Sequence, residues 1–432
     1  MDGHVRRYRR PNKRGWVVIL LFVVIGTFFA FYFGIDKPNE EVSVRAPDTD
    51  KSKKSTAEKK PPPDLSAKVK VTMADDFLLH EGLVAAAKTG ESSYDFKPSM
   101  AEMKPYIDGD LNLANLEGPV DAHGNNERIT GYPMFNFPRE LLAGIKDMGF
   151  DTMITANNHA FDQRLDGLTA TLEAVAEADL DVVGTHTSQE DFDGYFIREV
   201  NGIQIGISAW SYSDNGMAPT IGEHDAYAMR RFNHDTLDDV PAMLAEVDKL
   251  RENGAEVVIM SLHWGAEYQD YPTDNQQKIA DILVDGGVDI LMGTHPHCVQ
   301  PVTTRQVERD GRKQTAMCIY SLGNFYAYQG TLIPTTQYGM LAYASIVRDK
   351  DGHIDLEEMR YLPTLLYIDA ARKVHKNDYA SGYAFIPAGK YAKMDQKPND
   401  ISGETFHKAK LAWEHVQKIV GTDIEVLDGT ES

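Results

Sequence analysis

One phrase recurs from residue 67 to residue 330, and it constrains the fold more than any other feature of the chain. A short apolar run rich in β-branched residues ends in a loop carrying Asp, Asn or His, and a helical pattern precedes or follows it. The runs are 68-KVKVTMA-74, 111-LNLANL-116, 151-DTMITA-156, 181-DVVG-184, 203-IQIGISA-209, 256-EVVIMSL-262, 288-VDILMG-293 and 316-AMCIYSL-322. Between them, Leu168, Leu172 and Val175 share one helical face, and Met243, Leu244, Val247 and Leu250 share another. Ile279, Ile282 and Leu283 mark a third, stopped by Gly286-Gly287. Helices alternating with short apolar strands predict an α/β domain whose sheets are buried between helices. No internal repeat of fixed period is present.

The first 66 residues read differently. Residues 1–15 form a basic tail, with Arg6, Arg7, Arg9, Arg10, Lys13 and Arg14 against the single acid Asp2. Residues 16–35, WVVILLFVVIGTFFAFYFGI, carry no charge and match the roughly 20 residues a helix needs to span a bilayer. A cleaved signal peptide is the rival reading. Its apolar core is usually about 7–15 residues, and no small-x-small site closely follows this longer run. An uncleaved, single-pass anchor is therefore expected, with the basic end cytoplasmic and the main domain outside. Residues 36–66 read as a Lys-, Ser- and Pro-rich extracellular linker. The expected globular domain covers 67–347. Residues 348–432 read as an appendage packed on it, with a helix at 404–420 and a loose tail beyond Asp428.

The whole chain carries a net charge of −21; residues 1–14 hold +5 and 36–70 hold +2, leaving −28 on 71–432. Such a domain has no basic face to neutralise phosphates, which excludes nucleic acid as partner, and it repels polyanions at long range. Solubility explains the charge equally well. Two cysteines, Cys298 and Cys318, provide no disulfide framework; both sit in apolar runs, where free buried thiols are the expectation.

Residues able to do chemistry gather just past the strand ends. Asp75, Asp76 and His80 follow the first run, and Glu117 the second. Asn157, Asn158, His159 and Asp162 follow the third, and His263, His295 and His297 come later. Singly, each has an ordinary role: a loop histidine as hydrogen-bonder, an Asn pair as turn chemistry, surface acids as solvated groups. Ligands of α/β folds collect outside the carboxyl ends of strands, however. A shared edge lined with carboxylates, amides and imidazoles suits Zn, Mn or Fe, and shared carboxylates suit two ions. In 295-HPH-297, extended backbone would point both imidazoles the same way, whereas Pro296 permits a plain loop.

The series 76-DFLLH-80, 115-NLEGPV-120, 155-TANNHAFD-162, 263-HWGAEY-268, 293-GTHPHCVQP-301 and 320-YSLGNF-325 resembles the CapA (PgsA) family over residues 68–330. The resemblance implies a four-layer α/β/β/α sandwich similar to the calcineurin-like metallophosphoesterases, preceded by one transmembrane helix. It implies two divalent ions (Mn, Zn or Fe) held by Asp76, Glu117, Asn158, His263, His295 and His297. His159 would be the general acid, and Asn157 and Asn324 would line the substrate pocket. The implied role is a membrane-anchored extracellular component of poly-γ-glutamate capsule synthesis or export, beside membrane-bound synthase subunits. The alternative is a cell-surface two-metal phosphoesterase, or a γ-glutamyl amide hydrolase or transferase. The substrate would then be a phosphoester or the polyanionic polymer. Three positions depart from the family pattern: Asp75 and Arg164 replace glycines, and Thr294 replaces a histidine of the closing motif.

Overall fold

Two mixed β-sheets face each other across a shared apolar core in the computed structural model, which describes residues 65–430 apart from 310, 370 and 373–381. The expected tail and transmembrane helix, and nearly all of the expected linker, lie outside these residues. Among the described residues, no helix is long and apolar enough to cross a membrane.

The first sheet is built around β1 (Ala67–Leu78), with β2 (Leu111–Leu116), β3 (Thr152–Ile154) and β4 (Asp181–Val183) added in parallel on one side. The second sheet contains β5 (Phe196–Val200), β6 (Ile203–Ser211), β7 (Val257–His263), β8 (Ile290–Thr294), β9 (Val302–Arg309) and β10 (Arg312–Ile319). Its spatial order is β5-β6-β7-β8-β10-β9, with β6, β7, β8 and β10 mutually parallel. Short β11 (Tyr326–Ala327) pairs with the end of β1.

Side-chain parity shows why these runs are strands buried on both faces. In β7, Val257 and Ile259 enter the core between the sheets, whereas Val258, Met260 and Leu262 pack outward. The outward set meets Met243, Val247 and Leu250 of α4 (Val240–Glu252) and Ile279 and Leu283 of α5 (Asp274–Asp285). β8 divides the same way, with Ile290 and Met292 inward and Leu291 outward. A Thr273–Gln276 capping box opens α5 by satisfying two backbone N–H groups. α1 (Glu81–Ala87) follows β1, α2 (Glu140–Met148) follows β2, and α3 (Arg164–Glu177) packs on β4. Parity also fixes His263, two residues beyond Ser261 on the inward face, so that its ring points toward the first sheet.

The region after Val347 corrects the expectation of an appendage. β12 (Tyr338–Arg348) pairs antiparallel with β1, β13 (Ile354–Ile368) with β12, and β14 (Tyr383–Pro387) with β13. The first sheet thus runs β14-β13-β12-β1-β2-β3-β4, and β1 is an interior strand only because the late strands complete it. Two-residue β15 (Glu425–Val426) pairs with β13, and α6 (Gly403–Val420) lies on β12 and β13. Cys298 and Cys318 are buried and free.

Candidate metal centre

The carboxyl ends of β1, β2, β3, β7 and β8 open onto one place between the two sheets. Asp76 reaches it from β1 at a register shift: Ala74 pairs with Ala114 and Asp76 with Asn115, so Asp75 is the extra residue of a bulge. Glu117 follows β2, Asn158 and His159 follow β3, His263 ends β7, and His295 and His297 follow β8. All seven are buried.

Their side chains form two ligand groups that share one carboxylate. Asp76, Glu117 and His297 each offer an atom within 4.8 Å of the others, and so do Glu117, His263 and His295. Asn158 joins the second group, its Oδ1 lying 3.0 Å from His263 Nε2. Glu117 Oε1 is 3.6 Å from the same nitrogen. Neither oxygen of the fully buried Glu117 has a hydrogen-bond partner, and nor does Nδ1 of His295. Burying such groups without partners costs free energy that a bound cation would recover. The residues present fit divalent metal.

Electrostatics lead the same way. Burial, then the charge of Asp76, pushes the carboxyls of Glu117 and Asp75 well above their usual range. Burial also drives His263 down to about 3 and His295 well below 6.5, so both imidazoles are neutral and able to ligate. Asp76 and His297 behave oppositely. Burial opposes the charge on each, but their 3.0 Å contact outweighs it, lowering the carboxyl and raising the imidazole. Deep negative charge is thus balanced by one histidine, an arrangement a dication can displace.

Surrounding residues hold the ligands in place. Asn115 Nδ2 donates to Asp76 Oδ1 at 2.6 Å, and Asn324 Oδ1 lies 3.0 Å from His297 Nδ1. The Thr294 hydroxyl meets His263 Nδ1 at 2.9 Å, leaving Nε2 for the pocket. His159 Nδ1 sits 2.8 Å from Asp162 Oδ2, which also accepts from the Phe135 N–H at 2.8 Å. Such an Asp–His pair fixes the ring and the tautomer.

His295 and His297 do not converge through extended backbone: their φ angles are +96° and +58°, left-handed geometry that costs non-glycine residues of order 1–3 kcal/mol each. The loop is held by Trp264 N–H donating to the Thr294 carbonyl at 3.1 Å and Tyr268 N–H to the Pro296 carbonyl at 2.8 Å. Asn157 is engaged within the protein. Its Nδ2 donates to the Leu116 carbonyl at 2.8 Å and its Oδ1 accepts from His159 N–H at 3.2 Å, so it shapes the loop. Asn324 is likewise spent within the protein, its Nδ2 donating to Thr336 O at 2.8 Å and Gln329 Oε1 at 3.0 Å. Arg164 adopts a left-handed φ of +60°, a conformation that favours glycine.

Sequence reading missed Asn115 and Glu267. Asn115 was legible in principle, because it precedes Glu117 by two positions at the end of a strand and so shares its face. Glu267 groups with His295 and His297, yet it is exposed and carried no signal beyond an ordinary surface acid.

A family model described as bacterial capsule synthesis protein PGA_cap matches residues 70–329. A capsule biosynthesis protein CapA of Bacillus anthracis is 28% identical over 269 residues, 61% of this chain and 61% of that protein. A PGA biosynthesis protein CapA of Bacillus subtilis (strain 168) is 27% identical over 248 residues, 57% of this chain and 60% of the relative. The matches therefore span less than two thirds of either relative. Among solved structures, the calcineurin-like phosphoesterase YfkN of Bacillus subtilis aligns with 82% of this chain and 99% of its own, at 14% identity and a TM-score of 0.38.

Proposed function

From the premise that this chain belongs to the PGA_cap family of bacterial capsule synthesis proteins, we propose that it is a membrane-anchored, external component of poly-γ-glutamate synthesis or export carrying a two-metal site. The observation that carries the metal reading is Glu117, a buried carboxylate without a hydrogen-bond partner that belongs to both ligand groups. Asp76, Glu117 and His297 would hold one divalent ion; Glu117, His263, His295 and Asn158 would hold the other. Bound there, a pair of such ions supplies Lewis acidity and an activated water at neutral pH. The uncharged run 16–35 supports the anchor, with the acidic domain outside.

The His159–Asp162 pair favours turnover over passive binding. A site that only gripped carboxylates would have no use for an imidazole whose Nδ1 is fixed by a carboxylate held in turn by a backbone amide. With Nδ1 so engaged, His159 Nε2 is the atom that would carry a proton to a departing oxygen or nitrogen. The reaction class is hydrolysis or transfer at a phosphoester or a γ-glutamyl amide. Because the outer domain is strongly acidic, a polyglutamate chain would make its closest contacts at the metal positions, where the local charge reverses.

Metal content of the detergent-solubilised full chain, wild type and His297→Ala, tests the site. About two equivalents are expected in the wild type and fewer in the variant; no transition metal in either would defeat the reading. Hydrolysis of phosphoester and γ-glutamyl amide substrates by wild type and His159→Ala then tests turnover. A loss on the order of 10²-fold or more is expected in the variant, and equal activity would remove His159 from the mechanism.

A further inference from the structure

The turn after β7 brings in a third carboxylate that the two buried ligand groups do not use. Glu267 offers an oxygen within 4.8 Å of ligand nitrogens of both His295 and His297. It is exposed, unlike Asp76 and Glu117. Its position is set by more than chance rotation of a surface side chain. Tyr268 N–H donates to the Pro296 carbonyl at 2.8 Å, which ties this turn to the His-Pro-His loop, and the Tyr268 ring lies 6.0 Å from that of His297. Two imidazoles and one carboxylate make a full protein set for zinc or iron(II), with the remaining coordination open to water.

We propose that Glu267, His295 and His297 form an outer divalent-metal position at the mouth of the buried centre, where an ion is captured before it moves inward. The proposal rests on the two-metal reading of the inner site. His295 also belongs to the group containing Glu117 and His263, and His297 to the group containing Asp76 and Glu117. An ion at the mouth can therefore keep one histidine while it exchanges Glu267 for Glu117 or Asp76. Stepwise exchange matters because a dication stripped of ligands in a buried, poorly solvated interior is prohibitively unstable. The solvent-facing carboxylate also presents negative charge to an approaching hydrated cation.

The test is the rate of zinc(II) uptake by the chelator-stripped, detergent-solubilised full chain, followed with a chromogenic chelator, together with metal content at equilibrium. Glu267→Gln is expected to load roughly tenfold or more slowly, with inner-site content after long incubation close to wild type. Asp270→Asn, which removes a neighbouring acid outside the ligand group, is expected to load at the wild-type rate. Equal uptake rates in wild type and Glu267→Gln would overturn the outer position alone. Equal slowing by Asp270→Asn would also overturn it, since a general field rather than ligation would then be at work. A wild type that takes up no metal would overturn the inner site and, with it, this proposal.

Discussion

Replacing Thr294 with valine removes one oxygen and leaves the shape of the side chain nearly unchanged, yet it should weaken the metal centre. The Thr294 hydroxyl lies 2.9 Å from His263 Nδ1, and both residues are almost wholly buried. Water cannot take over the contact at such a position. A buried group deprived of its partner costs about 1–3 kcal/mol, which should appear as lower stability of the metal-free fold. The second effect is on affinity. Partners that orient a ligating histidine are worth about 10–100-fold in metal binding, which is roughly 1.4–2.8 kcal/mol at 1.4 kcal/mol per factor of ten. Burial keeps His263 neutral, with its pKa near 3, so the loss would reflect ring orientation rather than charge at neutral pH. Chelator competition measures affinity, and thermal melting in chelator measures the metal-free fold. Thr294→Ser, which retains the hydroxyl, separates the hydroxyl from the lost volume and should bind metal within about threefold of wild type. Thr294→Val binding as tightly as wild type would refute the assignment of Thr294 as the residue that orients His263.

Glu117→Gln should stabilise the metal-free protein while abolishing its response to metal. The Glu117 carboxyl is raised by burial and then by Asp76, so its contribution is fully present below about 4.5 and is lost as pH rises through the elevated folded value. Gln removes that loss, and melting in chelator at pH 8 should rise by roughly 2 °C or more, whereas added metal should raise Tm only in wild type. The same metal-induced shift in both proteins would remove Glu117 from the site. Gly293→Ala should destabilise the fold by more than about 3 kcal/mol, because a Cβ there would lie 2.0 Å from the Tyr320 carbonyl oxygen, a backbone atom with no room to retreat. Urea unfolding reads the change, and a variant within about 0.5 kcal/mol of wild type would contradict that packing.

Local chemistry was legible in the sequence; partnership was not. The run 111–116 is β2 to the residue, and the runs that stop before His263 and His295 lead to these ligands because burial on both faces of a strand leaves a strong apolar signature. The run read at 316–322 is β10 at 312–319 instead, since its first half, RKQT, is polar where the hairpin faces solvent. β13 and β14 fall in the stretch expected to be an appendage because nothing local in a strand names the strand it pairs with. The left-handed His295 and His297 were equally hidden: their geometry is imposed by distant hydrogen bonds against the residues' own preference. Glu267 was invisible for the opposite reason, because an exposed acid gives no sequence sign of what faces it.

The placement of β1 between β2 and β12 has a consequence for when the metal centre can exist. At about 5–20 residues per second, the roughly 270 residues separating Met73 from its partner Ala342 take some tens of seconds to be synthesised. Through that interval the strand bearing Asp76 has one finished edge and one bare edge, and closing it requires a contact of very long sequence separation, the slow kind in folding. A nascent chain would hold Asp76, Glu117, His263 and His295 well before the sheet that positions Asp76 is complete. Metal would therefore be taken up with affinity only after the last strands arrive, which makes loading a late event in the life of the chain and ties it to the integrity of its C-terminal fifth.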